Sequence, residues 1–183
     1  MPPHSLKTPR LILRQWRDAD LAPFAALNAS PAVMRFMSRA LDREASDALA
    51  RRIHAQIDET GYGLFAVEAP GVAPFIGFTG LSVPPFEAHF TPCIEIGWRL
   101  ARAFWGFGYA TEAATAVLAF AFDTLRLPEI VSFTTAGNQR SRAVMERLGM
   151  TRDPADDFDH PALPEDHPLR PHVLYRSKQA ALF

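Results

Sequence analysis

Two glycines, Gly106 and Gly108, stand directly before a long apolar run that opens at Tyr109. Glycine lets backbone approach a ligand closely. The first N–H groups of a helix lack an intrahelical partner and lie at the positive end of its dipole. Together these features suit an anion, most of all a phosphate or pyrophosphate. The same pair would also serve a tight turn that binds nothing. The dinucleotide fingerprint needs a third small residue where Thr111 stands, and an early βαβ unit, whereas this turn lies past the middle of the chain. No Gly-Lys-Ser/Thr follows, so the turn is not a nucleotide P-loop.

Just upstream, in CIEIGWRL, Ile94, Ile96, Trp98 and Leu100 fall on one face of a strand, with Cys93, Glu95, Gly97 and Arg99 on the other. Partial burial would raise the Glu95 carboxyl and make it a general base. The alternative is a solvated or ion-paired strand residue, with Arg99 as partner on the same face. Cys93 is either an acyl-carrying nucleophile or a small buried strand residue. Asn138 and Ser141, three residues apart where a helix begins, serve as caps or face a ligand across the sheet. Trp98, Phe104, Trp105 and Tyr109 cluster around the turn, as core or as pocket wall. The six histidines show no zinc-protease spacing; His160 and His167 line a pocket or sit on a surface loop.

These groups need a scaffold, and the pattern supplies one. A strand is expected at Leu6–Trp16, a helix capped by Asp18 or Asp20 through Asn28, and a second helix from Asp42 to Glu59 ahead of Gly61. Strands follow at Gly63–Glu68, Phe75–Val83 and Pro92–Leu100, then a helix over Tyr109–Leu125. A strand at Ile130–Thr135, a helix ending near Leu148 at Gly149, and a strand at His172–Arg176 close the chain. This order predicts one mixed α/β domain with helices packed on a sheet. At 183 residues, 48% hydrophobic, the chain is long enough for one substantial core. A formal charge of −1, from 19 basic and 20 acidic residues, gives no basic field for nucleic acid or anionic membrane. No run approaches the roughly 20 apolar residues of a bilayer span, and the amino terminus lacks a secretory core. The single cysteine excludes an internal disulfide. A cytoplasmic protein is expected, and no metal site. Of the 16 prolines, several crowd with acidic residues between Asp153 and Pro171, which forbids a long helix or central strand there.

Five segments in order, TPRLILRQWRDAD, IGFTGL, IEIGWRL, WGFGYATEA and NQRSRAVMERLGM, resemble the GNAT superfamily of acetyl-CoA-dependent N-acetyltransferases, in its RimJ/RimL-like branch. They span nearly the whole chain. The resemblance implies a single N-acetyltransferase domain over residues 1–183 (core about 6–178) and a mixed sheet of about seven strands, splayed between Leu100 and Ile130. It implies acetyl-CoA as donor, its pantetheine on the backbone of Trp98, Arg99 and Leu100. The pyrophosphate would lie on the amides of Gly106, Phe107, Gly108, Tyr109, Ala110 and Thr111. Asn138 and Ser141 fall where the family's last-helix polar residues approach pantetheine and sulfur.

The chain departs from the pattern in three places. Trp105 fills a slot that is often Gln or Arg, Phe107 one that is often Lys, and Met145 one that is often a tyrosine acid. The expected chemistry is therefore acetyl transfer to a primary amine in a ternary complex, with Glu95 as base and Ser141 as proton donor. The acceptor is a peptide or protein N-terminus or a small molecule, and a homodimer is compatible with the fold. A non-catalytic CoA-binding domain and a nucleotide-phosphate-binding protein are the rival readings. The acidic residues of the proline-rich segment are expected at the acceptor entrance, as a cation-attracting field or a solvated loop.

Overall fold

A computed structural model describes residues 5–179. Its centre is one eight-stranded sheet in the order β1-β2-β3-β4-β5-β6-β8-β7. The strands are β1 Leu6–Lys7, β2 Ile12–Arg14, β3 Leu64–Ala69, β4 Ala73–Ser82, β5 Glu95–Leu100, β6 Glu129–Thr135, β7 Phe158–Asp159 and β8 Pro171–Lys178. The helices are α1 Leu21–Ala29, α2 Pro31–Met34, α3 Arg43–Thr60, α4 Tyr109–Ala119 and α5 Gln139–Arg147. Neighbouring strands run antiparallel except β5 and β6, which are parallel and share a single register pair, Glu95 with Val131. Among the described residues no helix is long and apolar enough to cross a membrane. His4 lies outside the described residues.

The sequence pattern placed most elements, and three differ for local reasons. The expected first strand is two: Thr8 N–H donates to the Leu11 carbonyl (3.0 Å) and Leu11 N–H to Thr8 Oγ1 (2.9 Å), closing a turn through Pro9. Neither Asp18 nor Asp20 caps α1 with its side chain. The Asp20 carboxylate accepts from the buried Arg14 guanidinium (2.8 Å) and from Arg17 N–H (2.8 Å). The long helix keeps α register only to Ala119; Leu125 N–H then bonds the Phe120 carbonyl, a wider π turn. By contrast α3 begins and ends as its sequence requires, with Asp42 accepting from Ala45 N–H (2.8 Å) and Gly61 closing it at φ 79°.

Leu13, Phe65, Ile76, Leu81, Ile96, Ile130, Val117 and Ile57 belong to one core cluster that spans the sheet and its helices. A second cluster joins Phe90, Val131 and Leu174 with Phe86, Cys93, Phe133 and Phe158. The proline-rich segment is therefore a shaped element. It forms a 3₁₀ turn at Pro154–Asp156, then β7, whose Phe158 pairs with His172 on β8 and packs its ring against Phe90 and Phe133.

Candidate active site

The site lies where β5 and β6 part. Val131 N–H donates to the Ile94 carbonyl (3.0 Å) and Ser132 Oγ to the Ile96 carbonyl (2.9 Å). No ladder pair joins Gly97–Leu100 to β6 beyond that point. The stretch of β5 from Trp98 to Leu100 thus offers backbone to whatever enters the splay. Trp105 Nε1 donates to the Leu100 carbonyl (2.8 Å), tying the following turn to the strand's end.

Downstream of Leu100 a 3₁₀ turn, Arg102–Phe104, leads to Gly106 (φ +86°) and Gly108 (φ +80°), left-handed conformations that favour glycine. Gly108 is the N-cap of α4 and supplies no side-chain acceptor. The first intrahelical bond runs from Glu112 N–H to the Gly108 carbonyl (3.0 Å), so the N–H groups of Tyr109, Ala110 and Thr111 point out of the helix start unpaired. Gly106, Phe107 and Gly108 are exposed, and a Cβ on Gly106 would meet nothing within 4 Å. A row of free amides at a dipole's positive end, reached past the exposed Gly106–Gly108 turn, fits a pyrophosphate.

A brace that spacing did not reveal holds this turn. Arg10 donates from Nε to Glu112 Oε2 (2.6 Å), from its backbone N–H to Glu112 Oε1 (3.0 Å), and from Nη1 to the Phe107 carbonyl (2.9 Å). Thr8 Oγ1 adds a bond to Glu112 Oε1 (2.6 Å), and the Arg10 guanidinium lies 4.8 Å from the Tyr109 ring centre. Burial acts to raise the Glu112 carboxyl, but the Thr8 and Arg10 bonds outweigh it and hold it below the usual range. Its charge is thereby paired with Arg10 at the helix start, where an unpaired carboxylate would oppose a phosphate. Thr8 and Arg10 sit in TPRL and Glu112 in YATEA, yet nothing in the sequence links segments a hundred residues apart.

Glu95 opens β5 on the face away from Ile96, beside Ser82, whose Oγ donates to Oε2 at 3.5 Å. No cation pairs with it among the described residues. Burial pushes its carboxyl up to about 8, only slightly offset by Ser82. The expected alternative, an ion pair with Arg99, is not formed: Arg99 Nη1 donates to Asn28 Oδ1 (2.7 Å) and its guanidinium lies 5.2 Å from the Phe78 ring centre. Burial and the neighbouring Glu95 push the Cys93 thiol up to about 11, so thiolate is scarce at neutral pH and a nucleophilic role is disfavoured. Beyond α2, Met37 Sδ accepts from Arg99 Nη2 (3.2 Å), and a Cβ on Gly137 would lie 3.7 Å from Phe36 Cε1. This segment therefore reaches from β5 to the turn after β6, across the open end of the splay.

At the start of α5, Asn138 Oδ1 accepts from Ser141 N–H (3.4 Å), while Nδ2 donates to Thr134 Oγ1 (3.0 Å) and to Ser141 Oγ (3.2 Å). Asn138 is thus both cap and positioner. Because Ser141 Oγ already accepts from Asn138, its hydroxyl hydrogen is free to donate elsewhere. Met145 is fully buried core. Arg140 lies over the Trp105 ring at 4.5 Å, joining α5 to the glycine turn. In the proline-rich segment three acidic residues are ion-paired, while Asp153, Glu165 and Asp166 have no cationic partner among the described residues. Asp156 pairs with Arg176 (2.7 Å), Asp157 with Arg152, and Asp159 with Arg170 (3.4 Å). Among the described residues no group of three or more His, Cys, Asp or Glu could hold a metal ion.

Comparison with known proteins agrees with this fold. The family profile described as "Acetyltransferase (GNAT) domain" matches residues 10–151. The YkkB protein of Bacillus subtilis is 33% identical over 79% of this chain and 84% of its own length. The FsC-acetyl coenzyme A-N(2)-transacetylase of Aspergillus fumigatus is 33% identical over 68% of this chain, a match spanning 55% of that protein. An acetyltransferase structure from Agrobacterium tumefaciens superposes with a TM-score of 0.78 at 31% identity, covering 98% of this chain and 96% of that one. The ribosomal-protein acetyltransferase RimL, solved in complex with coenzyme A, shares the fold at 14% identity (TM-score 0.77, 96% and 98% coverage). The splayed sheet, the free amides of its glycine turn and these matches together place this chain in the GNAT acetyltransferase family.

Proposed function

We propose that the protein transfers an acetyl group from acetyl-CoA to a primary amine by direct attack in a ternary complex. The observation that carries this reading is Glu95. It is a carboxyl without a cationic partner among the described residues, pushed up to about 8 by burial and set on the sheet where β5 begins to part from β6. A carboxylate of that basicity accepts the ammonium proton of an incoming amine, directly or through water. Backbone N–H on Trp98–Leu100 orients the thioester and meets the developing oxyanion. Tyr109, Ala110 and Thr111 hold the pyrophosphate, and Ser141, positioned by Asn138, relays to the departing thiolate the proton that the attacking nitrogen sheds, ending as a neutral hydroxyl. When bound, acetyl-CoA supplies the activated acyl carbon, so no covalent enzyme intermediate is needed.

Replacement of the family tyrosine by Met145 favours a second reading, a CoA-binding domain that no longer turns over. A thermal-shift and thiol-release screen over peptides, polyamines, amino acids and aminoglycosides separates the two. Stabilisation by CoA with amine-dependent thiol release supports transfer. Stabilisation without release from any amine supports the binding domain, and stabilisation by mononucleotides alone would overturn both.

A further inference from the structure

β5 carries Glu95, Gly97 and Arg99 on one face, so a carboxyl and a guanidinium stand at its two ends with no side chain between them. A Cβ on Gly97 would lie 4.0 Å from Glu95 Oε1, so its absence leaves bare backbone as the floor. Four steps along the strand put the two Cα atoms about 13 Å apart.

Arg99 is held in an unusual way for a half-buried cation. Nη1 bonds the neutral Asn28 amide (2.7 Å), and Asn28 is 0% exposed and locked by a bond from Nδ2 to Ser46 Oγ (2.9 Å). Nη2 reaches only the Met37 sulfur (3.2 Å). A guanidinium has five N–H donors, and the rest of Arg99's find no protein acceptor among the described residues. Arg14 shows how this chain treats a structural arginine: it bonds Asp20 at 2.8 Å, Glu68 at 2.7 Å and the Pro74 carbonyl at 2.6 Å. Burial lowers the Arg99 group to about 10, so it stays charged at neutral pH. A fixed, partly desolvated cation without an anion is costly, and a carboxylate is the partner its planar fork fits.

We propose that Arg99 binds a carboxylate on the amine acceptor, so that the enzyme selects amines bearing an acid group some way from the nitrogen. This rests on the acetyl-transfer reading above: the amine lies at Glu95, and the acid reaches along the Gly97 floor to Arg99. The class includes ω-amino acids and peptide N-termini with an acidic residue near the third position.

The experiment compares matched acceptors by steady-state thiol release. One pair is an ω-amino carboxylic acid and its methyl ester. The other is two amidated tripeptides with Glu or Gln at the third position. The wild type should prefer the acid of at least one pair by about 10- to 100-fold in kcat/KM, chiefly through KM. Arg99→Met should erase the preference, lowering kcat/KM for the acid at least tenfold more than for its neutral partner. Arg99→Lys should restore part of it. The pair that responds identifies a small acid or an acidic peptide as the source of the carboxylate. Equal wild-type use of acid and neutral partner overturns the proposal, as does an equal loss for both in Arg99→Met. Thiol release with other amines but neither acid also overturns it, leaving acetyl transfer intact. Intact CoA binding with no release from any amine instead removes the acetyl-transfer reading, and this inference with it.

Discussion

Replacing Glu95 by Gln should slow the enzyme and stabilise the protein, in the same pH range. The wild-type carboxyl sits at about 8 because burial disfavours its charge. About a tenth is ionised at pH 7 and about nine tenths at pH 9, so kcat/KM should climb roughly tenfold between them. Glu95→Gln removes this limb and lowers turnover at pH 9 by about 10²–10⁴-fold; whatever pH dependence remains belongs to the amine acceptor.

The stability effect runs the other way. The folded protein keeps the Glu95 proton to higher pH than the unfolded chain, whose carboxyl titrates near 4.5. Between those values the native state binds more protons, so stability falls as pH rises from about 4.5 to about 8. At about 1.4 kcal/mol per pH unit the gap sets a ceiling of about 5 kcal/mol. Because Glu95 is only half-buried, solvent screening reduces it to about 2–3 kcal/mol. Glu95→Gln should therefore match wild type near pH 5 and exceed it by that amount at pH 9 in urea denaturation. Undiminished turnover at every pH would remove Glu95 from proton transfer. A variant destabilised at both pH values would make the carboxyl a structural group.

Gly108→Val forces a β-branched residue into φ +80° and places a Cβ 3.5 Å from Arg10 Nη2. Backbone strain of about 1–3 kcal/mol should raise the CoA dissociation constant about tenfold or more in calorimetry; an unchanged value would put the phosphate elsewhere. Ser141→Ala should lower kcat more than CoA affinity. Asn138→Ala should weaken CoA binding and cost about 1 kcal/mol of stability through the lost cap, and the reverse kinetic pattern would exchange their roles. His160 and His172, 5.0 Å apart between ring centres, are both held below the usual imidazole value, chiefly by burial among aromatic rings. Their contribution is complete above about pH 6.5 and is lost as pH falls through the lowered folded values. His160→Phe should accordingly flatten the acid side of a stability–pH curve, and an unaltered curve would show that this pair does not set it.

The sequence determined what is local. Alternation in IEIGWRL fixed which side chains of β5 share a face, the glycines before Tyr109 fixed the free amides of α4, and Asp42 with Gly61 fixed the ends of α3. The five ordered segments carried the family, because each encodes a turn, strand or cap whose conformation depends on its own residues. Where a nearby residue offered a stronger partner, local rules misled. Asp20 looks like a helix cap but its carboxylate goes to Arg14, and Leu6–Trp16 alternates like one strand but turns at Thr8–Leu11. Only the tertiary structure decided the charge states and pairings. Glu95 and Arg99 read as natural partners along one strand, yet four residues of extended backbone keep them apart and burial removes water from both. The acidic segment could be read as a negative field or a solvated loop, yet Asp156 pairs with Arg176 on β8, and Asp157 and Asp159 pair with Arg152 and Arg170 at the segment's own ends. Arg10 and Glu112 meet because α4, packed on β4 and β5, also reaches β1 and the turn that follows it. Desolvation and long-range pairing depend on which surfaces folding brings together, and that information is carried by no single segment of the chain.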